Sequence, residues 1–215
     1  MLVANAVSRL PSRIPAAAND QARPGLSSLF SRQPVETFGR GETICRDGDP
    51  ALHVFEVAAG IVRVAKVFSD GSRVIPGFFQ PGEFFGTSPG ERYLGDAEAI
   101  GEVKLRRLSR NGFRQAVDRC ERLRPEFADW LCREMVSAQA RTVLLACKNA
   151  EERVCDLLLA LAPQVGGADG PARAIELSMS RVNMADYLGL TIETASRTMT
   201  NLIGCGAIRS AGWRS

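Results

Sequence analysis

The apolar pattern of the sequence changes its period near residue 109, and this change constrains the fold more than any other feature. From Val35 to Leu108, short apolar runs such as "HVFEVA" and "IVRVAKVF" alternate with turns rich in Gly, Asp and Pro, at roughly ten-residue spacing. Closely spaced short strands with such turns indicate an antiparallel roll or sandwich. From Arg110 onward, helix-forming residues dominate. The sequence therefore predicts an α+β protein in which an antiparallel β-roll precedes a set of helices.

A long helix is predicted after the roll, and Pro125 lies where a helix can begin. Within this helix, small and apolar residues alternate at intervals of three and four, which is the spacing of a coiled-coil seam. The seam residues are Ala128, Leu131, Met135, Ala138, Thr142 and Leu145. We expect two copies of the chain to pair along this seam. The alternative is a single amphipathic helix that packs on its own roll through Phe127 and Trp130.

Two short helices are predicted in the last forty residues of the chain. Ser180 is suited to cap the segment "RVNMADYLGL", and Gly189 is suited to end it. Thr191 is suited to cap a second helix over residues 191–203, which the glycines of "GCG" terminate. Two short helices joined by a tight glycine-containing turn are typical of a helix-turn-helix.

The second helix presents polar side chains of the types that read DNA bases. Apolar residues of both helices are expected to form a small core: Val182, Ala185, Leu188, Leu190, Ala195, Met199 and Leu202. Glu193, Ser196 and Arg197 then face outward together. Arginine can donate to guanine O6 and N7, glutamate can accept from cytosine N4, and serine can bind a base or a phosphate. The alternative is a surface ion pair between Glu193 and Arg197.

Positive charge surrounds this helix pair, although the chain as a whole is only mildly basic. The net charge of +3 is too small to indicate a nucleic acid partner by itself. Residues 180–215 contain four arginines and two acidic residues, a local net charge of +2, and Arg209 and Arg214 are among them. Such arginines position a protein on phosphates. The candidate DNA-contacting residues are Arg181, Thr191, Glu193, Thr194, Ser196, Arg197 and Thr200.

The sequence does not favour an enzyme or a metal site. His53 is the only histidine, so a cupin-like metalloenzyme lacks its ligands, and a Ser/His or Cys/His catalytic pair has a single imidazole to draw on. The six cysteines include no Cys-x-x-Cys pair, which argues against zinc and iron–sulfur ligation. We therefore expect no catalytic residues, no metal and no cofactor. Free thiols are expected, with Cys205 the most accessible.

Residues 1–27 are expected to form a flexible arm ahead of the roll. Arginine-rich, acid-poor starts also occur in organelle transit peptides, but no strong apolar stripe accompanies the arginines here. The longest apolar run is too short to span a bilayer, and no secretory signal is evident. These features predict a cytoplasmic protein with no membrane partner.

The order of these parts resembles the Crp/Fnr family of bacterial transcription regulators, over nearly all of residues 30–210. The stretch "YLGLTIETASR" (187–197) is similar to the family's helix-turn-helix signature L-G-L-T-x-E-T-x-S-R. "KNAEER" (148–153) is typical of the Fnr side of the family. "FFQPGEFFG" (78–86) followed by "DAEAI" (96–100) resembles the FixK branch most.

The resemblance implies a cyclic-nucleotide-binding-like β-roll at 28–116, a dimerisation helix at 117–147 and a winged helix-turn-helix at 148–215. The chain's ending predicts a shortened wing. Family membership further implies a homodimer that reads a TTGAT-N4-ATCAA-like palindrome, with Arg197 on the guanine. We expect an activator that contacts RNA polymerase through the roll and the loop at 163–171, in regulation of the low-oxygen, nitrogen-fixation or denitrification type.

The roll departs from the family members that bind small ligands. Members that bind cyclic AMP carry Gly-Glu and then Arg-Ser or Arg-Thr, but here Thr87 follows Gly86 and Asp96 lies where the phosphate-binding pair is expected. A carboxylate facing a phosphate is unfavourable, and Arg92 comes too early for the usual spacing. Residues 1–44 contain no cysteine for an Fnr-type cluster. The sequence therefore predicts a FixK-like regulator without a small ligand; the alternative is a cyclic-nucleotide-gated regulator of the same architecture.

Overall fold

The structure is a computed structural model that describes residues 25–88, 90–161 and 179–208. Within these ranges a 3-10 helix at Leu26–Leu29 is followed by eight β-strands and then by five α-helices. This order confirms the predicted α+β architecture. The predicted strand at 174–179, the loop at 163–171 and the wing lie almost entirely outside the described residues.

The eight strands form two four-stranded antiparallel sheets that together make the β-roll. The strand order of the first sheet is β1 (Val35–Phe38), β8 (Val103–Ser109), β3 (His53–Ala59), β6 (Phe84–Phe85). The strand order of the second sheet is β2 (Thr43–Cys45), β7 (Asp96–Ala99), β4 (Val62–Val67), β5 (Arg73–Phe79). Among the described residues β5 pairs with β4 alone, so it forms an edge of the second sheet there.

An apolar core fills the space between the sheets. Val57 and Leu105 of the first sheet pack in one cluster with Val62 and Ala97 of the second, and each is at most 1% exposed. Because successive strand side chains point to opposite faces, the intervening residues are available for the outer surfaces. Gly60 makes the tight turn between β3 and β4, with φ of 82° and the Glu102 carbonyl 2.3 Å from where a Cβ would lie. Glycine is required there on both counts.

The outer face of the first sheet is covered by helices and by the segment that precedes β1. Phe30 is fully buried, with its ring centroid 5.3 Å from that of Phe84 and 6.2 Å from that of Phe113. Leu26 is 3% exposed in the same cluster, and its N–H donates to Glu126 Oε1 at 2.8 Å. Residues 25–27, which the sequence assigned to the arm, therefore pack with the roll.

Two helices occupy the region where the sequence predicted one dimerisation helix at 117–147. Helix α1 spans Arg110–Arg119, and helix α2 spans Leu123–Cys147. Cys120 ends α1 because it adopts an extended backbone, with φ of −109° and ψ of 107°. The predicted start of the long helix was therefore wrong by six residues, whereas its end was right. Pro125 lies in the first turn of α2, where a missing N–H breaks no helical hydrogen bond.

Helices α3 (Ala150–Leu161), α4 (Arg181–Leu188) and α5 (Ile192–Gly204) pack around a third core. Its buried members are Val154, Leu157, Leu158, Met184, Leu188, Met199 and Leu202. The prediction that Val182 joins this core was wrong, since its side chain is 44% exposed. Met184 takes that place at 1% exposure. Val182 instead lines a groove that borders the roll.

Arg153, in the first turn of α3, holds three helix ends together. Its guanidinium donates to the carbonyls of Leu145 at 2.8 Å, Lys148 at 2.9 Å and Leu188 at 3.0 Å. These carbonyls lie at the C-terminal ends of α2 and α4, where they have no partner within the helix and carry partial negative charge. A single cation therefore satisfies acceptors from both helices and sets the helix-turn-helix against the end of α2.

Replacing Arg153 by Met is expected to lower the free energy of unfolding by about 3 kcal/mol, because partly buried carbonyls lose charge-assisted donors while the apolar stem is kept. Urea unfolding followed by circular dichroism measures this change. Arg119→Met, at an exposed position on α1, is the control and is expected to change stability little. Equal stability of the two variants would contradict the role assigned to Arg153.

Candidate nucleic-acid interface

Helices α4 and α5 form the predicted helix-turn-helix, and their caps are those expected from the sequence. Ser180 Oγ accepts from the Asn183 N–H at 3.2 Å, and Thr191 Oγ1 accepts from the Thr194 N–H at 3.2 Å. Gly189 ends α4 in the left-handed conformation, with φ of 61°. A Cβ at Gly189 would lie 3.2 Å from Leu145 Cδ2, so the turn also packs closely on α2. The turn between the two helices is thereby fixed at both ends.

One face of α5 is buried in the third core. Ala195, Met199 and Leu202 are between 0% and 4% exposed, and Thr198 is 8% exposed. Because α-helical residues repeat every 3.6 positions, this buried stripe directs the intervening residues to the opposite side. The apolar anchoring of α5 therefore determines which of its side chains reach solvent.

The predicted base-reading residues lie on that outer side. Glu193 and Arg197 are exposed, and Ser196 is half-buried. Within the described chain, Glu193 and Arg197 do not form the direct ion pair that the alternative interpretation requires. The pKa of Glu193 lies below its usual value, because its own backbone N–H and the Thr191 hydroxyl stabilise the carboxylate and Arg197 adds positive charge. The helix thus presents an ionised acceptor and a guanidinium donor to an external partner.

The remaining candidate DNA-contacting residues make hydrogen bonds within α5 or are partly covered. The hydroxyls of Thr191 and Thr194 lie 3.0 Å apart at the start of α5, and the Thr200 hydroxyl donates to the Ser196 carbonyl at 3.0 Å. Arg181 is half-buried, with Nη1 covered and without a hydrogen-bond acceptor in the described structure. Arg181 is therefore less accessible to a phosphate than the residues on α5 are. Arg209 and Arg214 lie outside the described residues.

The predicted dimer seam forms an exposed stripe along α2. Leu131 is 47% exposed and Met135 is 56% exposed, and the small residues Ala128, before Leu131, and Ala138, after Met135, are exposed as well. Phe127 and Trp130 pack instead on the roll cluster, so α2 uses one side for its own roll while the seam side remains open. Thr142 is exposed on this stripe as well. Leu145 departs from it, since this half-buried side chain contacts the turn at Gly189.

The residues at the roll's predicted phosphate position do not fit a cyclic nucleotide phosphate. Arg92 Nη1 donates to the Gly48 carbonyl at 2.5 Å, and Asp96 Oδ1 accepts from the Asp47 N–H at 2.8 Å. A phosphate at this position would therefore meet the Asp96 carboxylate, while the Arg92 guanidinium is already bound to the turn at Gly48. In the described ranges, no cluster of three or more His, Cys, Asp and Glu side chains is arranged to hold a metal ion.

The sequence did not reveal a set of polar contacts between the roll and α4. Arg63 and Arg73 of the second sheet reach Asn183 and Asp186 of α4, and Arg141 of α2 lies over the Tyr187 ring. Arg63 and Arg73 lie more than one hundred positions from their partners on α4, and Arg141 lies 46 positions from Tyr187. No rule of sequence spacing connects residues so far apart. The charged side chains are the one feature of these residues that the sequence displays. Because charged residues are usually solvent-exposed, their presence did not predict an internal contact.

The matches to known domains agree with this geometry. Residues 35–120 match the family described as "Cyclic nucleotide-binding domain", and residues 152–214 match the family described as "Crp-like helix-turn-helix domain". No helix in the described part of the chain has the length and apolar character needed to cross a bilayer. A β-roll, a long helix with an open stripe and a helix-turn-helix with an exposed polar face together define a DNA-binding transcription regulator.

Individual relatives specify the family. The chain is 39% identical over 199 residues to the nitrogen fixation regulation protein FixK of Azorhizobium caulinodans, covering 89% of this chain and 77% of that protein. It is 35% identical over 165 residues to the transcriptional activatory protein AadR of Rhodopseudomonas palustris, covering 77% of this chain and 69% of that protein. The structure of FixK2 from Bradyrhizobium japonicum matches with a TM-score of 0.76 at 32% identity, covering 85% of this chain and 90% of that chain. The chain belongs to the Crp/Fnr family and resembles its FixK members, as predicted.

Replacing Thr191 by Ala is expected to lower the free energy of unfolding by about 1 kcal/mol, because the first turn of α5 loses its capping acceptor. The same change removes a hydroxyl donor from the Glu193 carboxylate, so the pKa of Glu193 is expected to move upward toward its usual value. Urea unfolding and NMR titration measure the two effects. Thr200→Ala, in the interior of α5, serves as the control, and an effect of equal size there would argue against the cap.

Proposed function

We propose that this protein is a homodimer that reads a TTGAT-N4-ATCAA-like palindrome through α5. The observation that carries the proposal is the division of α5 into two faces. Ala195, Met199 and Leu202 anchor one face in the third core, while Glu193 and Arg197 are exposed on the other. A rigid helix that presents a donor and an acceptor in this way suits the edges of bases in the major groove.

Each outer side chain has a distinct role in this proposal. The Arg197 guanidinium donates to O6 and N7 of the guanine in each half-site, and the Glu193 carboxylate accepts from a cytosine N4 amine. Ser196, which is half-buried, contacts a base or a phosphate at closer range. The hydroxyls of Thr191, Thr194 and Thr200, together with Arg181, contribute contacts that place the protein on the duplex.

Pairing of two chains follows from the open stripe on α2. Leu131 and Met135 are large apolar side chains that face solvent in a single chain. Their burial against a second copy would remove apolar surface from water, and Ala128 and Ala138 would allow the two helices to approach closely. A two-fold dimer of this kind places two copies of α5 about one turn of DNA apart, which matches a palindrome.

The named relatives support an activator of the FixK type. FixK of Azorhizobium caulinodans is named a nitrogen fixation regulation protein, and AadR of Rhodopseudomonas palustris is named a transcriptional activatory protein. For this chain we propose activation of transcription in the cytoplasm, through contact with RNA polymerase. The regulated genes are of the low-oxygen, nitrogen-fixation or denitrification type.

A cyclic-nucleotide-gated regulator is the second candidate, because residues 35–120 match the cyclic nucleotide-binding domain. The positions of Arg92 and Asp96 weigh against it, since neither presents a free cation to a phosphate. Titration calorimetry with cyclic AMP and cyclic GMP separates the candidates. If a nucleotide released heat at micromolar concentration and also tightened DNA binding, the cyclic-nucleotide-gated regulator would be favoured over a regulator without a small ligand.

Replacing Arg197 by Ala is expected to cost about 1–3 kcal/mol of discrimination at the guanine position, because the bidentate donor is lost. Gel shifts with the palindrome and with duplexes substituted at that base measure the discrimination of each variant. Arg114→Ala, at an exposed position on α1, is the control. An Arg197→Ala variant that keeps the wild-type preference at that base would refute the assigned role.

Replacing Met135 by Glu is expected to convert the dimer to monomer at micromolar concentration, because two carboxylates would meet across a symmetric seam. Ala138→Glu is expected to act in the same way. Sedimentation equilibrium measures the association. The control is Arg133→Glu, which adds a carboxylate two residues before Met135 and therefore about 200° around the helix. A full dimer in both seam variants would place the interface elsewhere.

A further inference from the structure

The roll holds the helix-turn-helix through a set of polar contacts, here called the polar dock, made by Arg63, Arg73, Asn183 and Asp186. Arg73 on the edge strand β5 donates through Nε to Asp186 Oδ2 at 2.7 Å, and its Nη2 lies 2.5 Å from the same oxygen. The two side chains are 28% and 20% exposed. Because the pair is partly shielded from water, its attraction exceeds that of an ordinary surface ion pair.

A second arginine binds the same helix one turn earlier. Arg63 on β4 donates to Asn183 Oδ1 and forms an ion pair with Glu98 on β7. Asn183 is 8% exposed, and its Oδ1 also lies 3.4 Å from Arg73 Nη2. A buried amide oxygen needs donors, and here both donors come from the roll. The first helix of the helix-turn-helix therefore depends on the sheet for the satisfaction of a buried polar group.

Aromatic and cationic contacts extend the dock to α2. The Phe78 and Tyr187 ring centroids lie 5.2 Å apart, and the Arg141 guanidinium carbon lies 4.2 Å from the Tyr187 ring centroid. Arg141 Nη2 donates to the Ile75 carbonyl at 2.7 Å and to the Tyr187 carbonyl at 2.6 Å. One side chain of the long helix thus joins β5 to α4. Through these contacts the helix-turn-helix is bound both to the roll and to α2, the proposed dimerisation helix.

The dock leaves the DNA-reading side of the helix-turn-helix open. It involves α4, whereas Glu193 and Arg197 of α5 remain exposed. A groove of about 630 Å³ runs beside the dock and is lined by Arg63, Arg73 and Asn183 among others. Because the groove is open to solvent, the dock is more accessible to water and salt than a dry apolar interface is.

We infer that the polar dock is a positioning device that holds α5 in its DNA-binding orientation without a small ligand. This inference rests on the proposed function. In a dimer, the spacing of the two α5 helices matches a palindrome only if each helix-turn-helix keeps its place on α2 and the roll. The apparent affinity of the dimer for DNA is then proportional to the fraction of subunits that are docked. Because both subunits must be docked at once, this fraction is multiplied by itself.

Charge reversal tests the pair at the centre of the dock. Arg73→Asp and Asp186→Arg are each expected to weaken binding to the palindrome about tenfold or more, because a docked fraction of about one-third in each subunit enters twice. The double variant, which restores opposite charges, is expected to recover most of the wild-type affinity. Fluorescence anisotropy with a labelled duplex measures the dissociation constants.

The matched control lies on the same sheet. Lys66 on β4 and Asp47 form an ion pair at 2.6 Å that does not involve α4. Lys66→Asp is expected to leave DNA affinity unchanged. An effect equal to that of Arg73→Asp would show that any lost ion pair on the roll impairs binding, which would overturn the inference. Thermal unfolding of all variants checks that the roll and the helix-turn-helix remain folded.

Hydrogen exchange of the DNA-free dimer measures docking independently of DNA. Each single reversal is expected to speed amide exchange in peptides covering β5 and α4, and the double variant is expected to reverse this change. Unchanged exchange, unchanged affinity in both single variants, or loss without recovery in the double variant would each overturn the dock. Failure of the wild-type protein to bind any palindromic duplex would refute the proposed function instead, and the exchange result would still decide whether the pair holds α4.

Discussion

The structure depends on the way unpaired helix ends are satisfied at the junction of α2, α3 and α4. Arg153 donates to carbonyls of Leu145, Lys148 and Leu188, so one guanidinium serves the C-terminal ends of two helices. Without these bonds the carbonyls would face each other with like partial charges. The junction thereby ties the helix-turn-helix to the end of the long helix, and the polar dock ties the same element to the roll. Glu193 and Arg197 are exposed on an element that is held at both of these places.

Helices α2 and α5 each have one face that packs within the chain and another that is exposed to solvent. Helix α2 packs Phe127 and Trp130 on the roll and leaves Leu131 and Met135 open to solvent. Helix α5 buries Ala195 and Met199 and leaves Glu193 and Arg197 open. In both cases the buried face anchors the helix, and the open face is available to a partner. Each helix therefore combines an intramolecular contact on one face with an open face that the proposed function assigns to a partner. On α2 the packing of Phe127 and Trp130 on the roll is observed, whereas pairing along the seam stays a prediction.

The contacts between the roll and the helix-turn-helix are made by residues other than those at the roll's predicted phosphate position. Asp96 is engaged by the Asp47 N–H, and Arg92 is engaged by the Gly48 carbonyl. The arginines that the roll does direct toward another part of the molecule are Arg63 and Arg73, which meet α4. Protein side chains thereby connect the roll directly to the helix-turn-helix.

Local periodicity and hydrogen bonds between residues three positions apart were sufficient to predict the types of the elements, the caps of α4 and α5 and the exposure of Glu193 and Arg197. Ser180, Gly189 and Thr191 were predicted correctly for that reason. Three features arise instead from contacts between distant parts of the chain: the break before α2, the exposure of Val182 and the meeting of Arg73 with Asp186. The first depends on how Phe113 and Leu123 pack on the sheet, and the others depend on which surface α4 turns toward the roll. Such contacts join residues far apart in the chain, and periodicity carries no information about them.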